Sequence, residues 1–371
     1  MEEINVNALS TQVLWAVFGL AVLFGVIARK THFCTMGAVA DIVLMNDWAR
    51  MRMWALAIGV AMLGFNAMVA LGWVDAANTL YAAPRLLWLS TLVGGAMFGF
   101  GMVLASGCGS KNLVRVGGGN LKSLVVLIVL GVAGFATLKG LTAFARVSVL
   151  DAVSVTLATG QDLPSLLVQP SGWTKTSLAA GLGLVLGGGL IGWALARAEG
   201  RTRESLLGGV GVGAIVSAVW WVSGRLGHVA EDPNTLQEAF LATSSRRMES
   251  LSFVAPVAYT LDWLMFFSDK TKVLTTGVVA VFGMVVGSAA HALVTRSFRW
   301  EGFRDAQDTG NHLIGATLMG VGGVTALGCT VGQGISGVST LSLTSFLALA
   351  ALIGGAVLAL RVQVWRIERA A

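Results

Sequence analysis

Nine predominantly apolar stretches of roughly 20 residues constrain this chain more than any other feature. They lie at about 11–28, 50–73, 86–106, 121–145, 173–198, 204–224, 273–295, 310–328 and 340–361. Rising about 1.5 Å per residue, a helix of that length crosses the roughly 30 Å hydrocarbon core of a bilayer. Lipid offers no partner to a backbone N–H or C=O, so a spanning segment is either a helix or a strand of a closed barrel. The runs are continuous and lack the ten-residue inside/outside alternation of barrel strands, which leaves helices. Of the 371 residues, 55% are hydrophobic and only 12% charged, and the mean hydropathy is +0.77, well outside the range of soluble domains. The expected fold class is an all-α polytopic membrane protein embedded in a lipid bilayer.

Charge sets the expected orientation. Residues 1–10 hold Glu2 and Glu3 and no basic residue, so they lack the positive n-region of a cleavable signal peptide, and the first span is expected to be retained. The net charge of +6 sits at span ends, as topology signals and anchors do, which excludes nucleic acid as a partner. In a nine-span arrangement sixteen of the 25 Lys and Arg, among them Arg29, Lys30, Lys111, Arg115 and Arg299, fall on one side. That side is assigned to the cytoplasm, with the N-terminus outside and the C-terminus inside.

The second constraint is an internal repeat that ends in cysteine. The pattern G-x4-G-x-G-x-V-x-A-x-G-C runs from Gly94 to Cys108 and recurs from Gly315 to Cys329. The remaining cysteine is Cys34. Three thiols in or beside apolar segments do not make a disulfide framework, so free thiols are expected. The repeat implies two related halves in one membrane unit, about 1–146 and 173–371, joined by a polar connection at about 147–172. Each cysteine opens a piece too short to cross, at about 34–45, 108–116 and 329–339, and a fourth such piece lies near 250–268. Short segments survive inside a bilayer only when buried in protein or lining a polar cavity, and discontinuous helices of this kind hold substrate in secondary transporters.

Free cysteine is commonly a buried apolar packing residue. Against that reading, all three thiols open short segments, two end the repeat, and glycines flank Cys108 on both sides. Lys111 and Arg115 near Cys108, and Arg29, Lys30 and His32 near Cys34, serve equally as topology anchors or as an electropositive mouth that concentrates an anion. Gln333 either donates its amide to an anion or caps its own short helix. Asp41 is either a charge at membrane depth or an interfacial one. His291 and His312 read as packing or interfacial residues. A zinc site built from the cysteines and His32 lacks any C-x2-4-C pair, and the Gly-rich runs at 181–192 and 208–213 lack the strand context and Lys-Ser/Thr ending of a nucleotide loop, so no cofactor is expected. Close helix packing is the reading for those glycines.

On the motifs HFC at 32–34, ASGCGSKNLVRVGGGN at 105–120 and GCTVGQGISG at 328–337, the chain resembles the YeeE/YedE family of sulfur-compound transporters along nearly its whole length. The resemblance implies about nine spans with several short re-entrant central helices and an inverted repeat. It also implies uptake of thiosulfate or a related small anion from periplasm to cytoplasm across a bacterial inner membrane, past three cysteines at Cys34, Cys108 and Cys329. A small TusA-like sulfurtransferase is the partner it implies on the cytoplasmic side. Some relatives are linked to selenium metabolism, so another sulfur or selenium compound is the alternative cargo. The stretch at about 225–272 is longer than a minimal member needs. An unperturbed thiol, with a pKa near 8.5, is only about 3% thiolate at pH 7, so weak S–H donors are the expected chemistry. The competing chemistry is a membrane sulfurtransferase that forms a cysteine persulfide, which requires an activated thiolate.

Overall fold

The computed structural model describes residues 6–232, 236–269 and 271–370; Glu2 and Glu3 lie outside them. The first six helices are α1 (Val6–Lys30), α2 (Thr35–Met45), α3 (Ala49–Ala70), α4 (Trp88–Leu104), α5 (Gly109–Gly117) and α6 (Leu121–Lys139). The connection carries the short helices α7 (Leu141–Ala145) and α8 (Leu163–Ser171). Next, α9 (Lys175–Leu182) runs through a π turn at Gly183–Gly187 into α10 (Gly188–Leu195) as one span. The chain then forms α11 (Arg203–Trp221), α12 (Ala255–Met265), α13 (Thr276–Val294), α14 (Ala306–Thr325), a π-helical turn at Gly332–Gly337 and α15 (Leu343–Ala370). Two small antiparallel ribbons tie loops together, Arg85–Leu86 with Val155–Thr156 and His228–Val229 with Ala239–Phe240.

Eight segments among the described residues are long and apolar enough to cross a bilayer. The ninth expected span falls on α14, a 20-residue helix whose first turns carry Asp308, Asn311 and His312 and which is less apolar for that reason. The four expected short pieces are α2, α5, α12 and the turn at Gly332–Gly337.

Packing follows the repeat. Exchanging α1 with α11, α2 with α12, α3 with α13, α4 with α14, α5 with the turn at Gly332–Gly337 and α6 with α15 maps one set of packing partners onto the other. The pair α1–α13 becomes α3–α11, α4–α15 becomes α6–α14, and α6–α12 becomes α2–α15, while α4–α14 and α1–α11 map onto themselves. The α9–α10 span stands outside this exchange and packs chiefly on α3. Five crossings separate the starts of α1 and α11, so the two sets run in opposite senses.

The repeated glycines are the contact between α4 and α14. A Cβ added at Gly94 would lie 2.7 Å from the Gly322 oxygen, and one at Gly101 would lie 2.6 Å from the Gly315 oxygen. The reciprocal additions meet the same backbone: a Cβ at Gly315 lies 2.6 Å from the Gly101 oxygen and one at Gly322 lies 2.6 Å from the Gly94 oxygen. Gly99 and Gly320, equivalent in the repeat, press against the backbones of α15 and α6 at Leu352 and Leu130. Lipid tails are as apolar as leucine, so membrane helices associate through such close backbone approach rather than by hydrophobic drive. Gly101→Ala is expected to destabilise the fold by about 1–3 kcal/mol, seen as a lower melting temperature in detergent. Gly188→Ala, where an added Cβ meets nothing within 4 Å, should leave the melting temperature unchanged.

Candidate functional site

Each cysteine follows the same chain reversal. His32, Ser106 and Leu327 take the left-handed conformation, with φ of 52°, 55° and 59°, and each precedes a cysteine by two residues. Behind each, a backbone N–H reaches back five residues: Phe33 to the Ala28 oxygen (3.2 Å), Gly107 to Met102 (2.8 Å) and Gly328 to Gly323 (2.8 Å). This closure satisfies carbonyls orphaned at a helix end. Gly107 and Gly328, at φ of 158° and 159°, continue through a region that side chains avoid. The chain then enters a new short helical element with the cysteine at its head.

The thiols sit at those starts. Cys34 is the N-cap of α2, its Sγ accepting from the Gly37 N–H at 3.3 Å. Cys108 is the N-cap of α5, with Sγ 3.2 Å from Ser110 Oγ. Cys329 Sγ accepts from the Gly332 N–H at 3.4 Å. Relative exposure falls from 8% for Cys34 to 1% for Cys108 and 0% for Cys329. All three are free. The fourth short helix, α12, has Val254 as its N-cap, where the exchange would place a partner for Cys34.

Two cavities flank the thiols. On one side a cavity of about 550 Å³ is lined by Arg29, Lys30, His32, Lys111, Arg115 and Arg299, with Glu301 as its carboxylate. The Lys111 stem covers Gly107, where an added Cβ would lie 3.1 Å from Lys111 Cγ. Arg115 also braces the reversal before Cys108, its Nη1 donating to the Ser106 oxygen at 2.9 Å. On the other side a cavity of about 180 Å³ is lined by Tyr81, Arg146, Glu249, Ser252, Tyr259 and Gly328, among others. Tyr81 closes it toward Cys329 by donating from Oη to the Gly332 oxygen at 2.8 Å.

The sequence-derived candidates therefore divide. Cys34, Cys108 and Cys329 are buried free thiols, and His32, Lys111 and Arg115 line the basic cavity. Gln333 is fully buried beside Cys329; its Nε2 donates to the Ala326 oxygen and its Oε1 accepts from Ser345, both at 2.7 Å. Asn112, four residues after Cys108 as Gln333 is after Cys329, donates in the same way to the Gly107 and Cys108 oxygens at 2.9 and 3.0 Å. Asp41 pairs with Arg50 at 3.0 Å. Sequence reasoning missed Tyr81, Phe253 and Glu249. A signal existed for the first: the chain has only two tyrosines, and both line the smaller cavity.

A polytopic helical protein whose broken helices bury polar residues between two cavities has the architecture of a membrane transporter. The chain belongs to the sulphur transport family, whose model matches residues 30–358. It is 26% identical over 317 residues to the thiosulfate transporter TsuA of Escherichia coli (strain K12), covering 84% of each chain. It is also 25% identical over 351 residues to the thiosulfate transporter TsuA of Spirochaeta thermophila, covering 90% of this chain and 94% of the relative. A shorter similarity, 30% over 107 residues, links 27% of this chain to 24% of the probable transporter YedE of Salmonella typhimurium.

The exposure gradient has a direct readout. With maleimide added to the purified protein in detergent, Cys34 is expected to be alkylated well before Cys108 or Cys329, as followed by peptide mass spectrometry. Equal labelling of all three would show that the thiols do not differ in access to solvent.

Proposed function

We propose that this protein imports thiosulfate, or a closely related small sulfur oxyanion, across the bacterial inner membrane along the column Cys329, Cys108, Cys34. The observation that carries this reading is the placement of three free, buried thiols at the heads of broken helices between two cavities, one of them basic. Thiosulfate offers charged oxygens at one end and a soft sulfur at the other. A neutral S–H is a weak donor that does not repel a dianion. Weak sites in series also suit passage, because tight binding at any one of them would hold the ion.

The basic mouth of Arg29, Lys30, Lys111, Arg115 and Arg299 belongs to the cytoplasmic side by the distribution of Lys and Arg. The smaller cavity at Tyr81 and Glu249 is then the periplasmic entrance, with the N-terminus outside and the C-terminus inside. The anion moves from weak thiol donors toward fixed positive charge, and the mouth supplies a landing surface for a TusA-like sulfurtransferase that takes up the cargo. The names of the similar proteins favour thiosulfate over a selenium compound as that cargo.

Alanine replacement of each cysteine in turn tests the column. In proteoliposomes with verified insertion, Cys34→Ala, Cys108→Ala and Cys329→Ala are each expected to reduce labelled thiosulfate uptake about tenfold or more, with sulfate a poor competitor in the parent protein. Parental flux from all three variants would sink the relay. A persulfide adduct that persists by mass spectrometry after exposure to substrate would favour covalent sulfur transfer instead.

A further inference from the structure

The periplasmic-side cavity holds a group that the thiol column does not use. Glu249 lines both that cavity and a smaller space beneath it bounded by Ser250, Leu251, Ser252 and Thr276, and it is the only carboxylate among the described residues lining either. Its carboxylate accepts from the Ser245 N–H at 2.7 Å and the Ser244 N–H at 3.4 Å. Its own backbone oxygen accepts from Ser223 Oγ on the segment after α11. The chain is thus held on both sides of the carboxyl, in a cavity that Gly328, the residue before Cys329, also lines.

The groups around it are few. Arg146 faces it from the segment after α7, Tyr81 from the loop before α4, and Tyr259 from α12. Arg146 lies 3.6 Å from Asp151. Both tyrosines feel the Glu249 charge and are themselves neutral phenols at pH 7. Arg247, two residues earlier in the chain, donates to the Thr79 oxygen, and Arg246 is exposed. From α13 and α14 the facing residues are Thr276, Gly277, Gly323 and Val324, all uncharged. Burial holds the Glu249 carboxyl above the usual carboxylate range, against the hydrogen bonds that favour its ionised form.

Symmetry sharpens the contrast. Glu249 stands five residues before the N-cap of α12, as Arg29 stands five residues before the N-cap of α2. The exchange that relates the halves therefore puts an acid at one mouth where the other has a guanidinium. An ionised carboxylate in the entrance repels an incoming dianion, whereas a protonated one admits it. Import of a dianion against an inside-negative potential is electrically unfavourable, and each co-transported proton lowers that cost by one charge.

We propose that Glu249 is a proton-coupling site, taking a proton from the outer solution as the anion enters the cavity and releasing it inward as the anion passes the column. This rests on the anion-import reading, and the test separates the two.

The full-length protein is reconstituted in liposomes loaded with a pH-reporting dye, with the potential clamped, and labelled thiosulfate is added outside. The parent protein is expected to acidify the interior in proportion to uptake. An inside-alkaline gradient of about one pH unit should raise its initial rate severalfold, since a tenfold change in proton activity acts on a titrating site. Whatever flux remains in Glu249→Gln is expected to carry no protons and to ignore the gradient, while Glu249→Asp keeps both responses. Proton-free thiosulfate uptake by the parent, or a Gln variant that retains acidification, overturns the proposal alone. Absence of any thiosulfate flux in the parent refutes the import reading, and the coupling with it. If Glu249→Gln fails to insert, the proton measurement on the parent decides.

Discussion

The contact that the rest of this structure depends on is backbone against backbone, where α4 and α14 cross through Gly94, Gly101, Gly315 and Gly322. Four missing side chains let two helices of opposite sense approach more closely than any other residue type would allow. Each helix then ends in the same reversal, and each reversal delivers a cysteine to the head of a short element. A Cβ at any of the four would push one helix off the other and move both thiols, so the motif that ends in cysteine is first a rule about distance.

Once the chain has turned back inside the bilayer, its loose carbonyls need partners, and the protein supplies them from nearby side chains. Asn112 takes the oxygens of Gly107 and Cys108, Arg115 takes Ser106, and Gln333 takes Ala326. These polar residues look like ligands in a sequence but are partly committed to the backbone. The thiols are left as the groups whose hydrogen bonding is weakest. Phe253 adds to this shell from the fourth short segment, its backbone oxygen 3.4 Å from where a Cβ on Gly109 would lie and its ring stacked on Phe24 at 5.9 Å.

Much of the fold was legible because a bilayer admits so few solutions. Apolar length located all nine long helices, including α14, whose polar first turns keep it below the hydropathy of the others. The repeat located the reversals at Cys108 and Cys329, and the short apolar stretch after the first span located the one at Cys34. What stayed hidden depends on contacts between distant parts of the chain. Nothing near Tyr81 says that its hydroxyl will meet Gly332, 251 residues on. Nothing near Glu249 says that it will line a cavity with Tyr81 and Arg146, which lie far from it in the chain. The commitment of Arg115 to a carbonyl nine residues away was equally invisible, since spacing alone does not give the direction of a side chain.

The α9–α10 span is the least buried of the long apolar segments, with 22% of its apolar window enclosed, and it lies outside the exchange that relates the two sets of helices. Its contribution is one of parity. Four crossings precede it and four follow, so its presence makes the second set thread the membrane upside down relative to the first. Without it the two sets would insert in parallel, α4 and α14 would run side by side in the same sense, and the glycines that now meet across an antiparallel crossing would have no register to share. A span that packs chiefly on one neighbour thereby dictates the geometry of the pair on which both cysteine-bearing reversals are built.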